Sequence, residues 1–215
     1  MTVDFVRYVG AETREVRSRE IEGKEARVVV ATRTYDTAIE DVWDAITNAE
    51  RLPQWFLPVT GDLKLGGRYQ LKGNAGGTIK ACEPPRHLAV TWEFMGGVSW
   101  VTVRLSPDPE GGTRLELEHA AHVEEHWKKY GPGAVGIGWD LGLLGLARHL
   151  KTGEAVKAEE GEGWALTDEG KSYIRQSGED WCRADIASGE DPKAARVSAA
   201  RTIAFYTGET PPAES

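Results

Sequence analysis

The densest group of side chains able to do chemistry lies in LELEHAAHVEEHW, residues 115–127, which holds His119, His122 and His126 with Glu116, Glu118, Glu124 and Glu125. Imidazole can ligate a metal, relay a proton or donate a hydrogen bond, and carboxylates can serve beside it. If AAHVEEHW is a helical turn, His122 and His126 fall four apart on one face, a spacing that can hold a metal ion. A third ligand has no evident source, because Glu124 and Glu125 point around the helix away from that face. If the stretch instead ends a strand, alternation aims Leu115, Leu117 and His119 at one side and Glu116 and Glu118 at the other. His119 is then a hydrogen-bonded ring at the strand end, or a ligand contact or proton shuttle in an apolar pocket. No metal and no organic cofactor is expected.

The surrounding elements decide which geometry holds. RVVVATRTY, from Arg27, reads as a strand of β-branched residues. Asp36 or Thr37 can cap a short amphipathic helix over 38–47 carrying Ile39, Val42, Trp43 and Ile46, and NAERLPQWF adds a second helical turn. GGRYQLKG, GTIKACE, HLAVTWEF, SWVTVRLSP and TRLELEH follow as strands separated by Gly- and Pro-rich turns, which predicts an antiparallel meander. Alternation sets Val90, Trp92 and Phe94 on the same side, with Val101, Val103 and Leu105 beside them. Trp100 points the other way, where the N-terminal segment, the helices after residue 166 or a second subunit in a homodimer could cover it.

GPGAVGIGWDLGLLGLARHL predicts a long helix with Val135, Trp139, Leu143, Leu146 and Leu150 on an apolar stripe. Gly138, Gly142 and Gly145 interrupt it, and a helix-interior glycine costs about 1 kcal/mol relative to alanine. The compensation is room: close approach to the sheet, or a space beside it. Asp140, next to Trp139, reads as a solvated helix residue. GPGAVGIG follows no βαβ strand and lacks a Lys-Ser/Thr partner, so neither a phosphate loop nor a dinucleotide fingerprint is supported.

Beyond this, the chain divides into an N-terminal arm (1–24), a main domain (25–152), a polar linker (153–166), a helical extension (167–208) and a disordered tail (209–215). The extension has Thr167 or Asp168 as one cap and Asp191-Pro192 as another. A net charge of −8 over 215 residues argues against nucleic-acid or anionic-membrane partners, which need a basic face. Cys82 and Cys182 are too few and too far apart for a disulfide framework. The first residues contain no continuous apolar run suited to a signal peptide or a membrane span, so a cytoplasmic location is expected.

The order strand, two short helices, antiparallel sheet and long helix resembles the α+β helix-grip fold of the START-like (SRPBCC, polyketide cyclase) superfamily. Within it, the chain from about Ala26 to Leu150 resembles the family named for the activator of heat-shock-protein-90 ATPase. TRTYDTAIEDVWDAITNAERLPQWF, GGRYQL, GGTIKACEPPRHLAVTWEF, WVTVRL, GGTRLELEHAAH and GIGWDLGLLGLARHL carry that likeness. The resemblance implies a mostly apolar cavity between a curved sheet and the long helix. Placed on this sequence, the expected contacts to a small apolar or aromatic ligand are Trp55, Tyr69, Trp92, Phe94, Val103, Leu117, His119, Trp139 and Leu143. Two other readings are a cyclase, dehydratase or hydrolase using His119 or Tyr69 for proton transfer, and a cochaperone-like module working through its outer surface.

Overall fold

Alternation of apolar and polar residues builds a sheet with one dry face, and the dry face needs a helical cover. The computed structural model describes residues 12–155 and 158–211. Eight antiparallel strands run β1 (Thr13–Ile21), β2 (Lys24–Tyr35), β3 (Val59–Gly61), β4 (Arg68–Leu71), β5 (Gly76–Glu83), β6 (His87–Phe94), β7 (Gly97–Pro107) and β8 (Thr113–His122). Their spatial order is β1-β2-β8-β7-β6-β5-β4-β3, so β3 to β8 form the expected meander and β2 closes against its last strand. Of the expected arm, Thr13–Ile21 is an edge strand of this sheet. A two-residue turn at Glu22 and Gly23, both at positive φ (53° and 75°), folds it back onto β2.

The helices are α1 (Ile39–Thr47), α2 (Glu125–Tyr130), α3 (Gly133–Thr152), α4 (Ala158–Ala165), α5 (Asp168–Ala187) and α6 (Pro192–Thr207), with a 3₁₀ turn at Leu52–Gln54. Helix α4 occupies part of the stretch expected to be a linker. The caps of α5 and α6 are as their sequences suggest: Thr167 Oγ1 accepts from the Gly170 amide, and Asp191 accepts from Lys193 and Ala194. At α1 the expected cap is absent, because the N-cap position falls on Ala38, which has no side-chain acceptor; Thr37, one residue earlier, donates its hydroxyl to the Asp41 carboxylate at 2.8 Å.

Helix α3 lies along the concave face and shares its main core with Val29, Ala31, Val101, Leu115 and Leu117 of the sheet. Full burial of each of these valine and leucine side chains stabilises the fold by roughly 1.5–3 kcal/mol. Helix α5 extends the cover over β1, and α6 packs on α5 and α2. On the convex face Trp100 is half-buried in a small cluster with Val28, Val30, Ala120 and Ile21 of β1, its ring edge-on to His122. The N-terminal strand therefore takes part in covering it. No helix among the described residues is long and apolar enough to cross a membrane.

Candidate functional site

The histidine cluster is dispersed by the secondary structure. β8 continues through His122, and α2 starts only at Glu125, so His122 and His126 never share a helix. His119 pairs with Val29 and Val101 and faces the core, His122 lies against Trp100 on the convex side, and His126 packs on Tyr130.

Between sheet and helix the two layers do not close. A cavity of about 170 Å³ is walled by the sheet, the α1–3₁₀ region and α3. Of the residues expected there, Trp55, Tyr69, Trp92, Val103, Leu117, Trp139 and Leu143 line it. Sequence reasoning left out much of the wall, including Ile46, Leu52, Leu63, Ile79, Cys82 and Leu88. The β5 pair Ile79 and Cys82 was hidden by a register shift between Ile79 and Ala81, which breaks simple alternation. Leu63, 39% exposed, marks the mouth.

Two expected contacts are corrected. Phe94 obeys strand alternation, but it is the last residue before the β6–β7 turn and pairs with Gly97, which has no side chain to cover it; the ring is 47% exposed and outside the cavity wall. His119 is buried, yet it stands behind the wall, 5.9 Å between ring centroids from both Trp92 and Trp139.

The aromatic side of the cavity is continuous. Trp55 stacks on Phe56 at 5.4 Å, Phe56 on Trp139 at 6.1 Å, and Trp92 meets Trp139 edge-on at 5.2 Å. Opposite Phe56, Gly142 of α3 leaves room: a Cβ there would sit 3.7 Å from the Phe56 ring, in ordinary contact. Gly145 serves close approach instead, since its Cβ would fall 2.9 Å from the Trp55 carbonyl oxygen. Both effects anticipated from the glycine spacing therefore occur, at different positions.

The polar atoms around this hollow are almost all engaged by the protein. Tyr69 donates to the Thr91 carbonyl at 2.8 Å, Trp55 Nε1 to the Ala45 carbonyl at 2.8 Å, and Thr47 to the Trp43 carbonyl at 2.7 Å. Trp139 Nε1–H donates to His119 Nδ1 at 3.0 Å, which assigns the proton to Nε2. His119 Nε2 then donates to Ser99 Oγ at 2.8 Å, and Ser99 to the Trp92 carbonyl at 3.1 Å. Every member of that chain is satisfied by a neutral imidazole. Burial holds the His119 pKa down at about 4 and pushes the Tyr69 hydroxyl well above its usual range.

Helix α3 carries a second polar centre on another side. Asp140, expected in solvent, is fully buried: its Oδ2 accepts from Arg14 Nε of β1 at 2.8 Å, and from Ser177 Oγ at 2.6 Å and Trp181 Nε1 at 3.1 Å of α5. Arg14 also contacts Glu12 and Asp180, and Arg33 donates to Glu12. Despite the ion pair, desolvation raises the Asp140 pKa to about 6, the Arg14 charge and the Ser177 hydrogen bond only partly opposing it. Asp140 misleads because the apolar neighbours of WDLGLLGL set its depth, while its partners lie 126 and 37 to 41 residues away.

A family model described as activator of Hsp90 ATPase homolog 1-like protein matches residues 36–151. CalU16 from Micromonospora echinospora is similar in its crystal structure (33% identity, 81% of this chain and 98% of that one, TM-score 0.65). Its solution structure agrees (32% identity, 88% and 100% covered, TM-score 0.69). Protein MLL2253 from Mesorhizobium loti shares the fold at 24% identity, covering 58% of this chain and 97% of that one, with a TM-score of 0.53. The likeness to CalU16 thus reaches past the residues of the family model, whereas that to MLL2253 is close to them in extent. No curated protein matches the chain. Sequence match, sheet order and the hollow under α3 agree: this chain belongs to the activator of Hsp90 ATPase homolog 1-like family and has its START-like helix-grip fold.

Proposed function

We propose that the protein binds a small apolar or aromatic molecule in the cavity between β3–β8 and α3. The observation that carries this reading is a hollow of about 170 Å³ lined almost wholly by apolar and aromatic side chains whose polar atoms are largely paired within the protein. An apolar cavity of roughly 150 Å³ in a protein core stays dry and takes up a benzene-sized guest, so this volume suits one aromatic ring or a comparable group, with Leu63 at the entrance. The same polar geometry favours holding over turnover. Proton-transfer catalysis calls for two titratable groups within hydrogen-bond reach of one ligand position, and both ring nitrogens of His119 are engaged behind the wall.

A panel of small aromatic and aliphatic compounds followed by thermal unfolding tests the proposal. A guest present at 100 times its dissociation constant raises stability by about 2.7 kcal/mol. Gly142→Leu, which projects a side chain into the hollow beside Phe56, is expected to abolish that response while the protein remains folded. A panel without any stabilising member, or equal stabilisation of Gly142→Leu, overturns the reading.

A further inference from the structure

The cavity wall includes three tryptophans, Trp55, Trp92 and Trp139, each with one indole N–H donor. Two of them are committed, to the Ala45 carbonyl and to His119. The third differs. Trp92 makes ring contacts with Trp139 and His119, and its carbonyl accepts from Ser99, but its Nε1 has no acceptor among the described residues. The hydroxyls of Tyr69 and Thr47 are spent on backbone carbonyls, and the Cys82 thiol is only a weak donor. Among the donors of the described wall, the Trp92 indole N–H is the one good donor not spent on the protein.

Resting on the reading of the cavity as a binding site, we infer that the unspent indole N–H of Trp92 serves the hollow, that Trp92 is its specificity-determining residue and that the preferred guest is a neutral, flat aromatic compound carrying one hydrogen-bond acceptor, such as an aryl ketone or ether. The planar requirement follows from the ring wall Trp55–Phe56–Trp139–Trp92, where offset or edge-on packing rewards a flat partner. Neutrality follows from the lining, which contains no charged side chain to meet an ion taken from water. A single acceptor follows from the single unspent indole N–H; further acceptors on the guest would be left unpaired.

Acetophenone and ethylbenzene, close in size and shape, separate the hydrogen bond from the ring contact. Titration calorimetry of the full chain is expected to show acetophenone weakened roughly five-fold by Trp92→Phe, with ethylbenzene unchanged. Trp55→Phe, which removes an indole N–H already spent on the backbone, should not separate the two compounds. On the unaltered protein, the assigned Trp92 indole N–H resonance should move downfield with acetophenone and not with ethylbenzene, a measurement that survives if Trp92→Phe fails to fold. Equal losses for both compounds, or a Trp92 resonance indifferent to the carbonyl, overturn the role of Trp92 while leaving the cavity as a binding site. Failure of both compounds to bind the unaltered protein overturns the binding-site reading, and this inference with it.

Discussion

Trp139 and Asp140 are neighbours on α3, yet they serve regions built on opposite principles. On the Trp139 side the helix faces an aromatic wall and a hollow, with most of its polar atoms paired off and its histidine neutral. On the Asp140 side the contact with β1 and α5 is filled, and a buried carboxylate collects three donors. Trp181, fully buried, fits there only because Gly136 lacks a side chain: a Cβ would lie 2.3 Å from its ring. The contrast teaches a division of labour within one helix. The filled side fixes α3 against the sheet edge and the extension, so that the other side can stay incompletely packed without collapsing.

The comparison is broken most severely by emptying the filled side. Trp181→Ala is expected to cost about 3–5 kcal/mol, the range for deleting a fully buried large aromatic side chain. Trp92→Ala on the hollow side should cost less, because Trp92 is only partly buried and borders space that already exists. Chemical denaturation of the two variants checks the order, and equal losses would remove the distinction between the sides.

Next comes the charge. Asp140→Leu leaves Arg14, whose side chain is 8% exposed, without its closest carboxylate partner, and strands the Ser177 and Trp181 donors. A loss of about 3 kcal/mol or more is expected, while Asp140→Asn, which keeps an acceptor, should lose less. Ligand binding by Asp140→Asn at a temperature where it is folded should match the unaltered protein if the two sides are separate.

Acidity sharpens the contrast, because the two centres titrate with opposite sign. The folded-state pKa of His119, about 4, lies below its ordinary 6.5, so its stabilisation is complete above pH 6.5 and is lost as pH falls through 4. Asp140 is raised from 3.8 to about 6, so its contribution is complete below 3.8 and is lost as pH rises through 6. Asp185, raised to about 6 by burial with help from the Glu190 charge, adds to the second trend. Measured against the unaltered protein, His119→Gln should therefore improve by about 3 kcal/mol between pH 6.5 and 4, and Asp140→Asn should worsen by a similar amount over pH 6 to 4. Parallel slopes for the two variants would contradict the assignment.

These opposing sides were not equally legible in the sequence. Trp92, Val103 and Leu117 could be assigned to the hollow because strand alternation is a local rule, and Trp139 and Leu143 because a long apolar stripe has one natural direction. Phe94 failed where the rule outran the covered part of the strand, and β1 was missed because TREVRSREI carries charge along most of its length. The Asp140 centre was hidden for another reason: Arg14, Ser177 and Trp181 come together only once the edge strand and α5 have docked, and no local pattern encodes that meeting. His119 lay between these cases. Its inward direction was readable, but the Trp139 and Ser99 partners that fix its tautomer were not.

The smallest effect probes the hollow directly. Gly142 lies in the interior of α3 with ordinary negative φ, and an added Cβ meets only the Phe56 ring, at 3.7–3.8 Å. Alanine removes the extra backbone freedom that glycine has in the unfolded chain and adds a contact without a clash, so Gly142→Ala should stabilise the protein by up to about 1 kcal/mol. The same change at Gly136 would drive a methyl group into Trp181 and should be strongly destabilising. Thermal unfolding of the two single variants compares the sides by the smallest possible addition, one carbon atom: the hollow side accepts it and the filled side does not. A destabilised Gly142→Ala would mean that the space beside Phe56 is already occupied by protein, and the cavity reading would lose its foundation.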